Sequence, residues 1–112
     1  MVQVSHLVSD SRSLRPTRAE ISRAAIQHNV EAVRQFLTAR GSSAAVWGVV
    51  KANGYGHGLL EAARAMVQSG IGRLCVATLD ELAQLRRASV TTPILVFGGL
   101  CGIVPPKKLL AQ

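Results

Sequence analysis

The protein has 112 residues, of which 48% are hydrophobic, 17% are charged and 4% are aromatic. Such a chain is too apolar for a disordered tail and too poor in aromatic residues for a protein that stacks nucleic-acid bases. Its net charge of +7 comes from lysines and arginines spread along the chain, so we interpret it as solvated surface charge and predict no nucleic-acid partner. No apolar run predicts a membrane span or a secretory signal.

The N-terminal half of the chain begins without clear periodicity. Residues 1–14 are predicted to form a disordered leader, and residues 17–21 alternate weakly, which predicts a short strand. Ser22 is the expected N-cap of a first helix, and Gly41 lies just past the expected end of that helix. The continuous apolar run over 44–50 predicts a strand covered on both faces, as in a parallel sheet.

The second half of the chain alternates helices with short apolar runs. A glycine-rich turn over 51–58 precedes a helix that is predicted over 59–69. Thr78 and Glu81 have the spacing of a capping box, which begins a third helix over about 79–88. Two further strands are predicted over 73–77 and 93–97.

This order of helices and strands, joined by short loops, is typical of repeated βα units on a parallel sheet. The class is therefore α/β, and both a doubly wound sheet and a TIM barrel remain open. A complete barrel needs eight units and roughly 250 residues. About three βα units leave two sheet edges bare, which favours a fragment of a larger domain.

Two cysteines, Cys75 and Cys101, are too few for a disulfide framework. Cys75 lies in an apolar, strand-like run, so we expect it to be a small core residue. A reducing, cytoplasmic location suits both thiols.

The segment most informative about chemistry is residues 49–58, VVKANGYGHG. Lys51 follows a buried apolar run at the position where α/β folds place their sites, and burial disfavours an ammonium. A lysine in such a place is a candidate for a Schiff base with an aldehyde cofactor. The glycines would let the backbone approach a ligand, Gly58 would open a helix that attracts phosphate, and Tyr55 could bond the same anion.

Simpler interpretations of the same residues are open. Lys51 could end the strand and reach solvent, and the glycines could only shape a turn. Asn53 is equally suited to a turn and to a ligand contact. His57 has no second ligand at metal spacing, so a turn or capping role is favoured and no metal site is predicted.

Residues 49–58 resemble the pyridoxal-phosphate attachment motif of alanine racemase. The resemblance extends to the flanking segments in the same order along the chain. These segments are Arg15–Thr17 and Ala19–Ile21, Ala25–Asn29, Val76–Ala77, Glu81–Arg86 and Pro93–Val96. It covers about residues 15–99, which we therefore predict to be the N-terminal part of an alanine racemase barrel.

The resemblance implies a partial TIM barrel of parallel strands in a family that works as a homodimer. It implies pyridoxal-phosphate-dependent interconversion of L- and D-alanine, which supplies D-alanine for peptidoglycan. Lys51 would hold the cofactor and act as the base on the face used by D-alanine. Tyr55 would contact the cofactor phosphate.

The chain also departs from the family pattern. The resemblance implies that the second base is a tyrosine of the partner subunit, and that this tyrosine and the arginine that bonds the cofactor ring nitrogen lie far downstream in the family. The one tyrosine of this chain is Tyr55, which is already assigned to the phosphate, so no residue here is assigned as the second base. Residues 100–112 do not follow the family and are predicted to be a divergent or truncated tail. Three alternatives follow: a non-catalytic remnant that at most binds pyridoxal phosphate, a racemase of broader specificity, and a small pyridoxal-phosphate homeostasis protein. The continuation over 55–58 argues against the last of these.

Overall fold

The computed structural model describes residues 18–99, and the leader predicted over 1–14 and the tail predicted over 100–112 lie outside them. No helix in this range is both long and apolar enough to cross a membrane. The elements, in chain order, are α1 (Arg23–Ala39), β1 (Gly48–Val49), α2 (Lys51–Tyr55), α3 (Leu59–Gln68), β2 (Leu74–Val76), α4 (Leu79–Arg87) and β3 (Ile94–Val96).

The three strands form one parallel sheet in the order β1-β2-β3. Each strand is linked to the next through helices, because parallel neighbours need a crossover connection. The predicted α/β class and the partial TIM barrel of about three βα units are confirmed. Because the three strands are parallel, their carboxyl ends meet at one edge of the sheet, where the candidate site lies.

One face of the sheet packs against the helices. Gly48 and Leu74 are paired across β1 and β2 and lie on this face. A Cβ added to Gly48 would lie 2.6 Å from the sulfur of Met66 on α3, so a larger residue would require the Met66 side chain to shift. The buried hydrophobic core of this layer comprises Val30, Val50, Leu59, Ala62, Ala63, Ile71, Leu74, Val76, Leu85 and Val90.

The opposite face of the sheet is apolar and less covered. Val49, Cys75 and Leu95 are Cα partners in successive strands, so their side chains share this face. Cys75 is buried, as predicted for a small core residue, whereas Leu95 is 45% exposed. This face is therefore less covered at β3 than at β2 within the described residues.

The helix ends follow the expected capping chemistry. Ser22 Oγ accepts a hydrogen bond from the Ala25 N–H at 3.1 Å, which confirms the predicted N-cap. Gly41 and Gly70 follow α1 and α3 with φ of 68° and 85°, and the N–H groups beyond each helix bond back to its last turn. Ser89 holds the same place after α4 with φ of 62°, although it is not glycine.

Two predicted strands differ from the structure. Of the strand predicted over 17–21, residue 17 lies outside the described residues and residues 18–21 form no strand, because the sheet within the described residues offers them no neighbour. The strand predicted over 44–50 is limited to Gly48–Val49. Its ladder with β2 begins at Gly48 opposite Leu74, and the residues before Gly48 have no paired strand beside them.

Candidate functional site at the carboxyl ends of the strands

The candidate site is formed where the three parallel strands end. One residue separates Lys51 from the end of β1, Thr78 caps the start of α4 after β2, and Phe97 directly follows β3. The Lys51 Nζ lies 5.7 Å from the centre of the Phe97 ring. The topology thus brings together side chains that are far apart in sequence at the edge where α/β proteins place their ligands.

The Lys51 side chain is half-buried rather than fully solvated. Within residues 18–99 its amine forms no ion pair with a carboxylate. The facing Phe97 ring offers only the weak attraction of an aromatic face for a cation. An amine without a carboxylate partner is suited to reaction with an aldehyde, so this position fits a pyridoxal cofactor.

The segment after Lys51 is a left-handed helical turn. Ala52, Asn53 and Gly54 have φ of 52°, 55° and 62°, and Tyr55 has φ of 53°. Non-glycine residues adopt this conformation at a cost of about 1–2 kcal/mol each. The predicted glycine-rich turn is confirmed, but it carries backbone strain that its glycine count did not indicate. Such strain concentrates at functional sites.

Asn53 supports the turn with its side chain. Its Oδ1 accepts a hydrogen bond from the Leu59 N–H at 2.9 Å, at the start of α3. Of the two roles that the sequence left open for Asn53, the structure shows the turn role. The same bond occupies a donor at the helix end that was expected to attract phosphate, and Glu61 already lies in the first turn of that helix.

His57 also stabilises the turn. Its Nδ1 lies 3.0 Å from the carbonyl oxygen of Gly54 and 3.3 Å from that of Tyr55. Both neighbours are acceptors, so the proton belongs on Nδ1. The turn role favoured from the sequence is thereby confirmed. Residues 18–99 contain no cluster of three His, Cys, Asp or Glu side chains that could hold a metal ion.

Tyr55 ends the left-handed turn with a side chain that is 59% exposed. It borders an apolar groove of about 300 Å³ between α1 and β1, together with Asn29, Val33, Val46 and other side chains. The exposure leaves its hydroxyl available to a ligand. Its predicted contact with a phosphate stays a prediction.

Glu81 joins the site in a way that the sequence did not indicate. The capping box with Thr78 is present as predicted, and the Glu81 carboxylate also accepts a hydrogen bond from the Ala52 N–H at 2.7 Å. Burial raises the pKa of this carboxyl, but bonds from the N–H groups of Ala77, Thr78 and Ala52, with the Thr78 side chain, outweigh burial and leave the pKa below its usual value. The one feature of the sequence that could have indicated this bond is that Ala52 and Glu81 follow two neighbouring strands of the predicted parallel sheet.

The family model described as "Alanine racemase, N-terminal domain" matches residues 21–111. The chain belongs to the alanine racemase family. The resemblance noted from residues 49–58 and their flanking segments is therefore confirmed. The matched range ends at residue 111, so it includes most of residues 100–112, which were predicted to be a divergent or truncated tail.

Named relatives agree with this alanine racemase assignment. The chain is 45% identical over 89 residues to the alanine racemase of Sorangium cellulosum, covering 80% of this chain and 23% of that protein. It is 42% identical over 83 residues to the alanine racemase of Methanococcus maripaludis, covering 74% and 21%.

Solved alanine racemase structures share the fold of this chain. The enzyme from Bacillus anthracis, solved with bound L-Ala-P, superposes with a TM-score of 0.68 at 37% identity and covers 88% of this chain and 24% of that one. The enzyme from E. faecalis gives a TM-score of 0.65 at 41% identity, covering 83% and 23%. This chain thus spans less than a quarter of the length of these alanine racemases.

Proposed function

We propose that this chain supplies the cofactor-binding lysine of a pyridoxal-phosphate-dependent alanine racemase. The observation that carries the proposal is the position of Lys51, which is half-buried at the end of β1 and faces Phe97 without a carboxylate partner in the described residues. Family membership supports it, since the matched relatives are named alanine racemases. The reaction would provide D-alanine, which peptidoglycan requires.

The two site residues have distinct roles in this proposal. Lys51 would bind the cofactor covalently and move a proton at the α-carbon of alanine, on the face used by D-alanine. Tyr55 would donate its exposed hydroxyl to the cofactor phosphate. Pyridoxal phosphate, when bound, would supply an electron sink that acidifies the α-carbon. The strained turn between the two residues fixes their separation along the backbone.

A second candidate function is binding of pyridoxal phosphate without turnover. The chain contains one tyrosine, Tyr55, which leaves no tyrosine for proton transfer on the other face of the substrate. The proposal also includes alanine as the amino-acid substrate and a homodimer, both of which come from the family. It includes a cytoplasmic location, which comes from the small number of cysteines.

Reductive trapping tests whether Lys51 binds the cofactor. The chain is mixed with pyridoxal phosphate, reduced with borohydride, digested and mapped by mass. We expect label on Lys51, lost in Lys51→Ala and retained in the double variant Lys107→Arg with Lys108→Arg. These three are the lysines of the chain, so the variants form a matched set. Label spread over Lys107 and Lys108, or absent, would show that the motif forms no cofactor site here.

Deuterium exchange separates proton transfer at the α-carbon from binding alone. Alanine is incubated in D₂O with the loaded chain, and loss of the α-proton signal is followed by NMR. Exchange that depends on Lys51 supports proton transfer by this chain. Labelled Lys51 without exchange supports the second candidate function.

A further inference from the structure

The Glu81 carboxylate connects the ends of two strands. Its Oε1 accepts from the Ala52 N–H at 2.7 Å, in the turn after β1. Its Oε2 accepts from the N–H groups of Ala77 at 2.8 Å and Thr78 at 3.1 Å, after β2. A capping box needs only the bond to the N-cap residue, here Thr78. The bond to Ala52 therefore goes beyond what starting α4 requires.

The turn that receives this bond needs support. Ala52 is a non-glycine residue in the left-handed region, with φ of 52°. The first backbone bond that closes the turn runs from the Gly54 N–H to the Val50 carbonyl at 2.8 Å, so it leaves the Ala52 N–H to the Glu81 oxygen. A charged acceptor forms a stronger bond than a neutral one, which suits a strained backbone.

The geometry also separates Glu81 from the lysine amine. Both carboxylate oxygens are directed at backbone N–H groups, and Glu81 forms no ion pair with Lys51 in the described residues. A carboxylate bound to the amine would favour its charged, unreactive form. Glu81 thus holds the backbone beside Lys51 while leaving the amine available.

We propose that Glu81 is a positioning residue for Lys51, because Glu81 links the turn beside the lysine to the end of β2. The inference rests on the proposed function, in which Lys51 binds pyridoxal phosphate. It assigns Glu81 no contact with the cofactor or the substrate. Its effect passes through the Ala52 N–H, one residue beyond the lysine.

The first test compares Glu81→Gln with Thr78→Ala. The amide of Glu81→Gln offers one oxygen and turns an NH₂ group toward the backbone donors, so the link between the two strand ends is lost. Thr78→Ala weakens the cap of α4 but keeps the carboxylate on Ala52. Urea unfolding of both variants establishes that they fold and how far each is destabilised.

The readout is the pyridoxal phosphate concentration that gives half-maximal borohydride-trapped label on Lys51. We expect it to rise about tenfold in Glu81→Gln, from the loss of a hydrogen bond to a charged group, and less than about twofold in Thr78→Ala. Equal effects in the two variants, or labelling that simply follows their stability, would overturn the positioning role while leaving cofactor binding by Lys51 intact.

The second test needs no cofactor. The amide proton shifts of Ala52, Ala77 and Thr78 are followed by NMR as the pH is lowered. We expect all three to move together, with one midpoint below the usual pKa of glutamate, and all three movements to vanish in Glu81→Gln. An Ala52 shift that does not follow the other two would overturn the inference. If Lys51 of the unsubstituted chain takes no label, the proposed function fails and the positioning role falls with it, even where the three shifts move together.

Discussion

Replacing Asn53 by alanine is the most direct perturbation of the turn that carries Lys51. The substitution removes the Oδ1 that accepts from the Leu59 N–H at 2.9 Å, and loss of a helix-capping acceptor costs about 1 kcal/mol. It also places alanine at φ of 55°, where it lacks the tolerance of asparagine and costs about 1 kcal/mol more. We therefore expect Asn53→Ala to lower the free energy of unfolding by about 2 kcal/mol.

Two further substitutions at Asn53 separate these contributions. Asn53→Asp keeps an oxygen acceptor and tolerates the left-handed region, so its stability should stay near that of the unsubstituted chain. Asn53→Gly removes the acceptor but adopts positive φ freely, so it should lose about half as much as alanine. The expected order of unfolding free energies is asparagine and aspartate, then glycine, then alanine.

Urea unfolding followed by far-UV circular dichroism measures these differences, and a loss of about 2 kcal/mol corresponds to a fall in Tm of roughly 8–16 °C for a domain of this size. Glycine as costly as alanine would refute the argument from backbone strain. Aspartate as costly as alanine would refute the argument from the cap. Trapping of pyridoxal phosphate on Lys51 should weaken in the same order, because the turn carries the lysine.

Three other predictions concern the strand ends and the last helix. Gly98→Ala would place a Cβ 2.5 Å from the backbone carbonyl oxygen of Ala77 and should lower the free energy of thermal unfolding by about 1–3 kcal/mol. Gly72→Ala, with open space around it, serves as the control, and equal losses in the two variants would contradict the contact. Ser89→Gly should stabilise the chain by about 1 kcal/mol, because glycine adopts φ of 62° without strain, and a lower Tm would contradict this. The pKa of Glu81 is lowered on folding, so its contribution to stability is complete above the usual pKa of glutamate, near 4.3, and is lost as pH falls through the folded pKa. Urea titrations from pH 7 to 3 should show a smaller loss of unfolding free energy for Glu81→Gln than for the unsubstituted chain. Parallel curves would contradict this contribution.

Much of the candidate site was accessible from the sequence, because its chemistry is local. The attachment motif places Lys51 after an apolar run and before the turn that contains Asn53 and His57. A lysine at a strand end and glycines in a turn have consequences that depend on adjacent residues alone. The capping box of Thr78 and Glu81 was predicted for the same reason and is present.

The sequence by itself determined the order of the elements, the helix caps and the family, since periodicity and turn chemistry act over a few residues. Only the tertiary structure decided that the pairing of β1 begins no earlier than Gly48. The same is true of the position of Phe97 beside Lys51 and of the bond from the Ala52 N–H to Glu81. Each of these depends on which strands lie side by side and in what register. A contact between residues 29 or 46 positions apart is set by that packing, and no pattern of neighbouring residues records it.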